Sequence, residues 1–235
     1  CCDVAIEQGV YKRYKMIFYS EDKGHYSHMA RIVLAEKDIS CEIREISNDE
    51  KLPEEIATIN PYNTLPVLVD REVTIYQPRI ILEYLDERFP HPPLLPIYPN
   101  EKAECRLLIH RIERDWLPLL DQMMSPKISQ KEFDNLKKEL VSLISGIVLI
   151  LKEKPFFMSD EFTLVDCYMS AILYRLPYLG VSIPNSKSFS SLKSYQEKLF
   201  ARSSFELSLT DSERDLKYTF NSVSYTHLRA HETVM

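Results

Sequence analysis

The chain has 235 residues, 45% hydrophobic and 27% charged, with 14 tyrosines and 10 phenylalanines, which is ample for one or two folded domains. A net charge of −6 argues against general nucleic-acid binding, since that affinity rests on Lys and Arg neutralising phosphates. Five scattered cysteines (Cys1, Cys2, Cys41, Cys105, Cys167) without a CxxC pair suit a reducing cytoplasm, four glycines exclude a phosphate-cradling glycine loop, and no apolar run reaches membrane-spanning length.

Residues 1–15, CCDVAIEQGVYKRYK, begin without Met and carry no signal-peptide pattern. They read as an N-terminal extension, either translated from an upstream frame or forming a short disordered arm. Lys15 to Tyr19 predicts a first short strand. A polar loop, Ser20 to Tyr26, leads to a helix from Ser27 to Lys37 with Met29, Ile32 and Val33 as its buried stripe. Ile39, Cys41 and Ile43 alternate with polar residues and predict a half-buried second strand, with Cys41 in the core. Glu50 to Ile59 predicts a short helix closed by Asn60-Pro61.

Leu65-Pro66 opens the next strand, Val67 to Val69. Proline has no N–H to give to a sheet, so it belongs at a strand's first residue or edge, and X-Pro is the one bond that adopts cis at modest cost. A turn at Asp70-Arg71-Glu72 and a strand at Val73 to Ile75 follow. Pro78 suits the first position of a helix carrying Ile80, Ile81, Tyr84 and Leu85 at helical spacing, with Glu83, Asp86, Glu87 and Arg88 largely opposite. That helix ends near Phe89, at FPHPP, whose prolines forbid continuation. The order β-α-β-α-β-β-α lets the first two strands pair in parallel.

Residues 92–100 form a stiff proline-rich linker, and from Glu101 long helices take over. Leu107, Leu108, Ile112, Trp116 and Leu119 predict one stripe, kinked or interrupted by Pro118, and a second helix spans Gln130 to Lys152. In FTLVD, Phe162 to Asp166, Thr163 predicts an N-cap whose hydroxyl accepts from the Asp166 N–H, while the Asp166 carboxylate accepts from the Thr163 N–H. A helix to about Leu176 follows, with Gly180 near its exit; Thr210 and Glu213 repeat the capping pattern more weakly. His25 and His28, three apart, have no evident third ligand and read as solvated or loop-structuring; His110 reads as domain packing, and no metal site is expected. Residues 222–235, from SVSYTHLRAHET onward, read as a translated sequencing adapter rather than evolved protein, so His227 and His231 carry no metal expectation.

Strand-initiating proline, hairpin, helix and proline-rich exit together resemble the glutathione-transferase superfamily. YLDERFPHPPLLPIYP, RIVLAEK (Arg31 to Lys37) and SDEFTLVDCY (Ser159 to Tyr168) resemble its bacterial stringent starvation protein A family, from about Met16 to Lys217. The resemblance implies an α/β plus all-α fold, with a thioredoxin-like domain at 16–91 and a helical domain at 101–217. Pro66, Thr163 and Asp166 are then structural residues.

The superfamily's enzymes activate a thiol near the first helix's N-terminus. The place of their cysteine falls on Gly24, and that of their tyrosine on or beside Ser20, so Ser20 or Tyr19 is the alternative for a transferase. The anchor for the γ-glutamyl end, an acidic residue and a serine, reads Gln77-Pro78, which lacks both charge and hydroxyl. Glutathione is therefore not an expected cofactor, and the chain is not expected to be an enzyme.

An imidazole between prolines loses little entropy when a partner grips it. The resemblance implies a cytoplasmic, bacterial, dimeric transcription regulator that acts in starvation. It would associate with RNA polymerase holoenzyme and touch its sigma factor through Pro90, His91 and Pro92, with Pro93 and Tyr98 extending the patch and Asp86 and Glu87 adding negative charge. No sequence-specific DNA contact and no membrane contact is expected. A stress-related scaffold with another partner is the remaining alternative.

Overall fold

The computed structural model describes residues 4–7, 10–13, 15–47 and 51–215. The expectations for 222–235 lie outside these residues. At the N-terminus, where a disordered arm is one expectation, strands β1 (Val4–Glu7) and β2 (Val10–Arg13) pair antiparallel as a hairpin.

The first half then runs β3 (Ile17–Glu21), α1 (His25–Glu36), β4 (Glu42–Ile46), α2 (Glu54–Ile59), β5 (Val67–Asp70), β6 (Val73–Ile75) and α3 (Pro78–Arg88). Its sheet has the order β4-β3-β5-β6, with β3 and β4 parallel and the other pairs antiparallel. Alternation along the strands sorts side chains to two faces. Phe18 and Leu68 enter the core with Met29, Val33, Ile81 and Leu85, whereas Tyr19 and Val67 pack with Ile56 on the other side. Pro66 precedes β5 through a cis Leu65–Pro66 bond, and Pro78 occupies the first turn of α3.

One strand departs from its pattern. β4 begins at Glu42, three residues after Ile39, and Ile43 is 43% exposed. β4 is an edge strand, so Ile43 gains cover from one side only; the burial falls to Ile46 beside Ile56. Cys41 is half-buried, and burial pushes its thiol up to about 12, which leaves it inert.

The second half is helical: α4 (Pro99–Arg111), a π-turn (Ile112–Trp116), α5 (Leu117–Met123), α6 (Gln130–Ile147), a 3₁₀ turn (Ile150–Lys152), α7 (Leu164–Arg175), a 3₁₀ turn (Lys187–Phe189), α8 (Ser190–Phe200) and α9 (Ser203–Ser208). The interruption expected at Pro118 takes the form of the π-turn. Proline cannot donate to the carbonyl four residues back, and the ladder resets one turn before it. Leu107, assigned to the buried stripe, is 63% exposed on α4. A capping box that the sequence reading passes over starts α6: Ser129 N–H donates to Glu132 Oε2 at 3.1 Å and Glu132 N–H donates to Ser129 Oγ at 3.3 Å.

Helix α7 is the axis of this half, buried along nearly its whole length. Thr163 N–H donates to Asp166 Oδ2 at 2.8 Å, and the Thr163 hydroxyl accepts from the helix's first turn, from Val165 N–H at 3.3 Å. Asp166 does more than cap. Its Oδ1 also accepts from Phe157 N–H (3.0 Å) and from the Tyr195 hydroxyl (2.6 Å), so one fully buried carboxylate ties together the loop before α7, the helix and α8. Gly180, with φ +66°, makes the left-handed exit turn that disfavours a Cβ.

Candidate functional site

Two places bear on function: the turn after α3 and the junction between the halves near β3. At the turn, Arg88 closes α3, and Pro90, His91, Pro92 and Pro93 are all exposed, with a cis bond between His91 and Pro92. The turn is held from beneath by a side chain the sequence reading does not single out. The ammonium of Lys37, wholly buried just past the end of α1, donates to the carbonyls of Phe89 and Pro92 at 2.6 Å each and pairs with Asp86 Oδ1 at 2.7 Å. Three protons meet three acceptors, so the lysine is fully satisfied.

Asp86 is therefore not on the presented surface. It is 8% exposed, and besides Lys37 its carboxylate accepts from the N–H groups of Leu94 (2.8 Å) and Leu95 (3.1 Å). It clamps the outgoing strand of the turn, while Lys37 holds the incoming strand at Phe89 and the outgoing one at Pro92. The negative charge left on the outside is Glu87, which is exposed, and Tyr98 further on is 66% exposed. A groove of about 420 Å³ continues from the turn, lined by Pro92, Pro93, Tyr98, Phe156 and Phe162, with Glu101 and Glu161 among its carboxylates.

At the junction, Ser20 is fully buried and its hydroxyl accepts from Arg31 Nη1 at 2.5 Å. Tyr19 is 5% exposed; its hydroxyl accepts from Arg44 at 2.9 Å, and burial raises its pKa. The Ser20 hydroxyl is enclosed, while that of Tyr19 is engaged by the half-exposed Arg44. Gly24 is the N-cap of α1, and a Cβ there would stand 2.0 Å from Glu21 Oε2. Gln77 caps α3 without a side-chain hydrogen bond, and Pro78 follows it. The two positions at the start of α3, Gln77 and Pro78, thus carry neither a charge nor a hydroxyl.

Of the two readings of the histidines, solvated or structuring, the solvated one fails: His25 is 4% and His28 0% exposed. His25 Nε2 lies 3.2 Å from Asp121 Oδ1 on α5, and the Tyr26 hydroxyl donates to the same carboxylate at 2.9 Å. His28 Nδ1 accepts from Arg175 at 3.0 Å, and its Nε2 meets the Ser208 hydroxyl at 3.0 Å. They do not form a metal pair, and no metal-binding group of three or more His, Cys, Asp or Glu occurs among the described residues. His110, expected in the packing, is exposed on α4. Burial, with Arg175 and Arg31 alongside, holds His28 well below its ordinary 6.5, and burial lowers His25 as well. The unfolded chain takes up these protons below about pH 6.5 while the folded chain refuses them. Their effect on stability is therefore absent above that pH and becomes a loss as pH falls, up to about 1.4 kcal/mol per unit for each histidine. Urea midpoints between pH 7.5 and 5 should fall less steeply in His28→Gln than in the wild type; equal slopes would remove His28 from the account.

A thioredoxin-like half followed by a helical half with a capped central helix is the glutathione-transferase fold. The family models for the glutathione S-transferase N-terminal and C-terminal domains match residues 18–93 and 107–203. Solved structures of similar shape include a Tau class glutathione S-transferase from mango, Mangifera indica (TM-score 0.70, 21% identity, 87% of this chain and 97% of that one). Glutathione transferase Omega 3C from Trametes versicolor is another (TM-score 0.72, 18% identity, 90% and 92%). Among curated relatives, the stringent starvation protein A homolog of Coxiella burnetii is 44% identical over 209 residues, 88% of this chain and 97% of its own. That of Haemophilus influenzae is 43% identical over 194 residues, 83% and 90%. The chain belongs to the stringent starvation protein A family, within the glutathione-transferase superfamily. No helix among the described residues is long and apolar enough to cross a membrane.

Proposed function

We propose that this protein is a dimeric, non-enzymatic transcription regulator of the bacterial cytoplasm that associates with RNA polymerase holoenzyme and touches its sigma factor through the Pro90-His91-Pro92 turn. The observation that carries this reading is the clamp: a buried Lys37–Asp86 pair fixes both arms of a turn whose own side chains are exposed. A pre-fixed imidazole flanked by prolines loses little freedom when a partner surface closes on it. Pro93, Glu87 and Tyr98 widen the contact, and the acidic chain steers towards a basic partner surface.

The burial of Ser20 and Tyr19 and the glycine at position 24, which offers no thiol, weigh against a transferase. In support of a dimer, Ile80 on α3, Ile97 just before α4 and Leu107 on α4 are exposed by 56%, 79% and 63%. They offer apolar surface from both halves for a second copy. The test is capture of purified RNA polymerase holoenzyme by the full chain, wild type against His91→Ala, with glutathione calorimetry on the same samples. Capture that drops about tenfold or more in the variant, without glutathione heat, is expected. Equal capture by both proteins, or micromolar glutathione binding, would overturn the reading.

A further inference from the structure

The second buried ionic site spans the two halves. Arg31 on α1 and Arg175 on α7, 3% and 0% exposed, converge on the carboxylate of Glu213, itself fully buried and far along the chain. Arg31 Nη2 donates to Oε2 at 2.7 Å and Arg175 Nη2 to Oε1 at 2.6 Å. Thr210 N–H also donates to Oε2 at 3.2 Å, and His28 Nδ1 stands 3.7 Å from Oε1. One carboxylate thus answers two buried guanidiniums, and the Nε of Arg175 is buried with no hydrogen-bond partner.

The carboxylate arrives on a segment, Thr210 to Asp215, whose contacts among the described residues are polar. Thr210 Oγ1 donates to the Asp22 carbonyl (2.6 Å), Ser212 Oγ to the Asp22 carboxylate (3.1 Å), and the Tyr174 hydroxyl to the Glu213 carbonyl (2.8 Å). From Thr210 to Asp215 the segment carries no apolar side chain. Among the described residues the nearest apolar packing is at Leu209, just before the segment, whereas the arginines it covers are also held by other bonds. Arg31 holds the Ser208 carbonyl through Nε and Ser20 through Nη1, and Arg175 holds the Ala171 and Lys23 carbonyls.

We propose that Arg31 and Arg175 form an inter-domain carboxylate site whose resident ligand is the chain's own Glu213, and that this site takes a small free carboxylate when the Thr210–Glu213 segment withdraws. Fixed donors and a detachable acceptor are the arrangement of a binding site with an internal ligand. An apolar anchor on the segment would have made it ordinary core. The site is separate from the Pro-His-Pro turn and does not depend on the function assigned to it.

The test uses the full chain and sodium acetate, compared with sodium chloride at equal ionic strength. In Glu213→Ala the thermal midpoint should fall in chloride and rise saturably in acetate, by about 2–4 °C once acetate exceeds its Kd about tenfold. The wild type should show no such rise, because its own carboxylate fills the site. If Glu213→Ala does not fold in chloride, recovery of refolding yield by acetate supports the site, and no recovery overturns it. A midpoint in Glu213→Ala that is the same in acetate and chloride, or an acetate response of equal size in the wild type, also overturns it. Withdrawal in the wild type is read by trypsin cleavage after Arg214, which acetate should accelerate by competing with Glu213; no acceleration would refute the withdrawal.

Discussion

Replacing Lys37 with methionine should remove polymerase capture and lower stability by about 3–5 kcal/mol, the usual cost of breaking a buried ion pair from one side. The methionine fills the lysine's stem but leaves the carbonyls of Phe89 and Pro92 without their donor and the Asp86 carboxylate without its counter-charge. Asp86 would still accept from Leu94 and Leu95, so the outgoing arm stays clamped there while Phe89 and Pro92, on either side of His91, are released. The contrast with His91→Ala is the informative part. His91 is exposed and should change binding with little effect on the urea midpoint, whereas Lys37→Met should change both. Full capture by a destabilised Lys37→Met protein would show that the turn's fixed shape is irrelevant to the partner.

The second large effect is expected at Asp166. Asp166→Ala removes an N-terminal cap, typically worth about 1 kcal/mol, and leaves Phe157 N–H and the Tyr195 hydroxyl buried without an acceptor, at about 1–3 kcal/mol each. A loss of about 4 kcal/mol follows, large against the stability of an ordinary domain. Asp166→Asn keeps an acceptor oxygen and should lose roughly half as much. Urea unfolding measures both; a midpoint within experimental error of the wild type for Asp166→Ala would mean that α7 does not depend on this carboxylate.

What was legible in the sequence was local. Pro66 before a short apolar run, Pro78 ahead of a helical stripe and Thr163 three residues before Asp166 each act within a few residues, and each lies in the structure where its chemistry places it. Residues whose partners are distant in the chain were misread or missed. Asp86 looked like one more acidic residue on the solvent side of α3, because Lys37, which buries it, lies 49 positions earlier and no periodicity links them. Arg31 reads only as part of a family motif, and Glu213 as a cap with Thr210, which it is, the two exchanging hydrogen bonds at 3.2 and 3.1 Å. The pairing of Glu213 with Arg31 and Arg175 is set by how the halves pack. That His25 and His28 are buried rather than solvated was hidden for the same reason: α5 and α9, which cover them, come far later in the chain. Ile43 failed differently, since alternation reports a strand's two faces but not whether the strand lies at an edge.

The most direct measurement of the central claim is site-specific photocrosslinking to purified RNA polymerase holoenzyme, with the crosslinking residue placed at Glu87 or Tyr98, on either side of His91. Tyr62, 73% exposed on the loop before β5, serves as the control position. Adducts with the sigma factor from Glu87 and Tyr98, and none from Tyr62, are the predicted result. Adducts from Tyr62 with none from the positions flanking His91 would place the contact elsewhere and contradict the account.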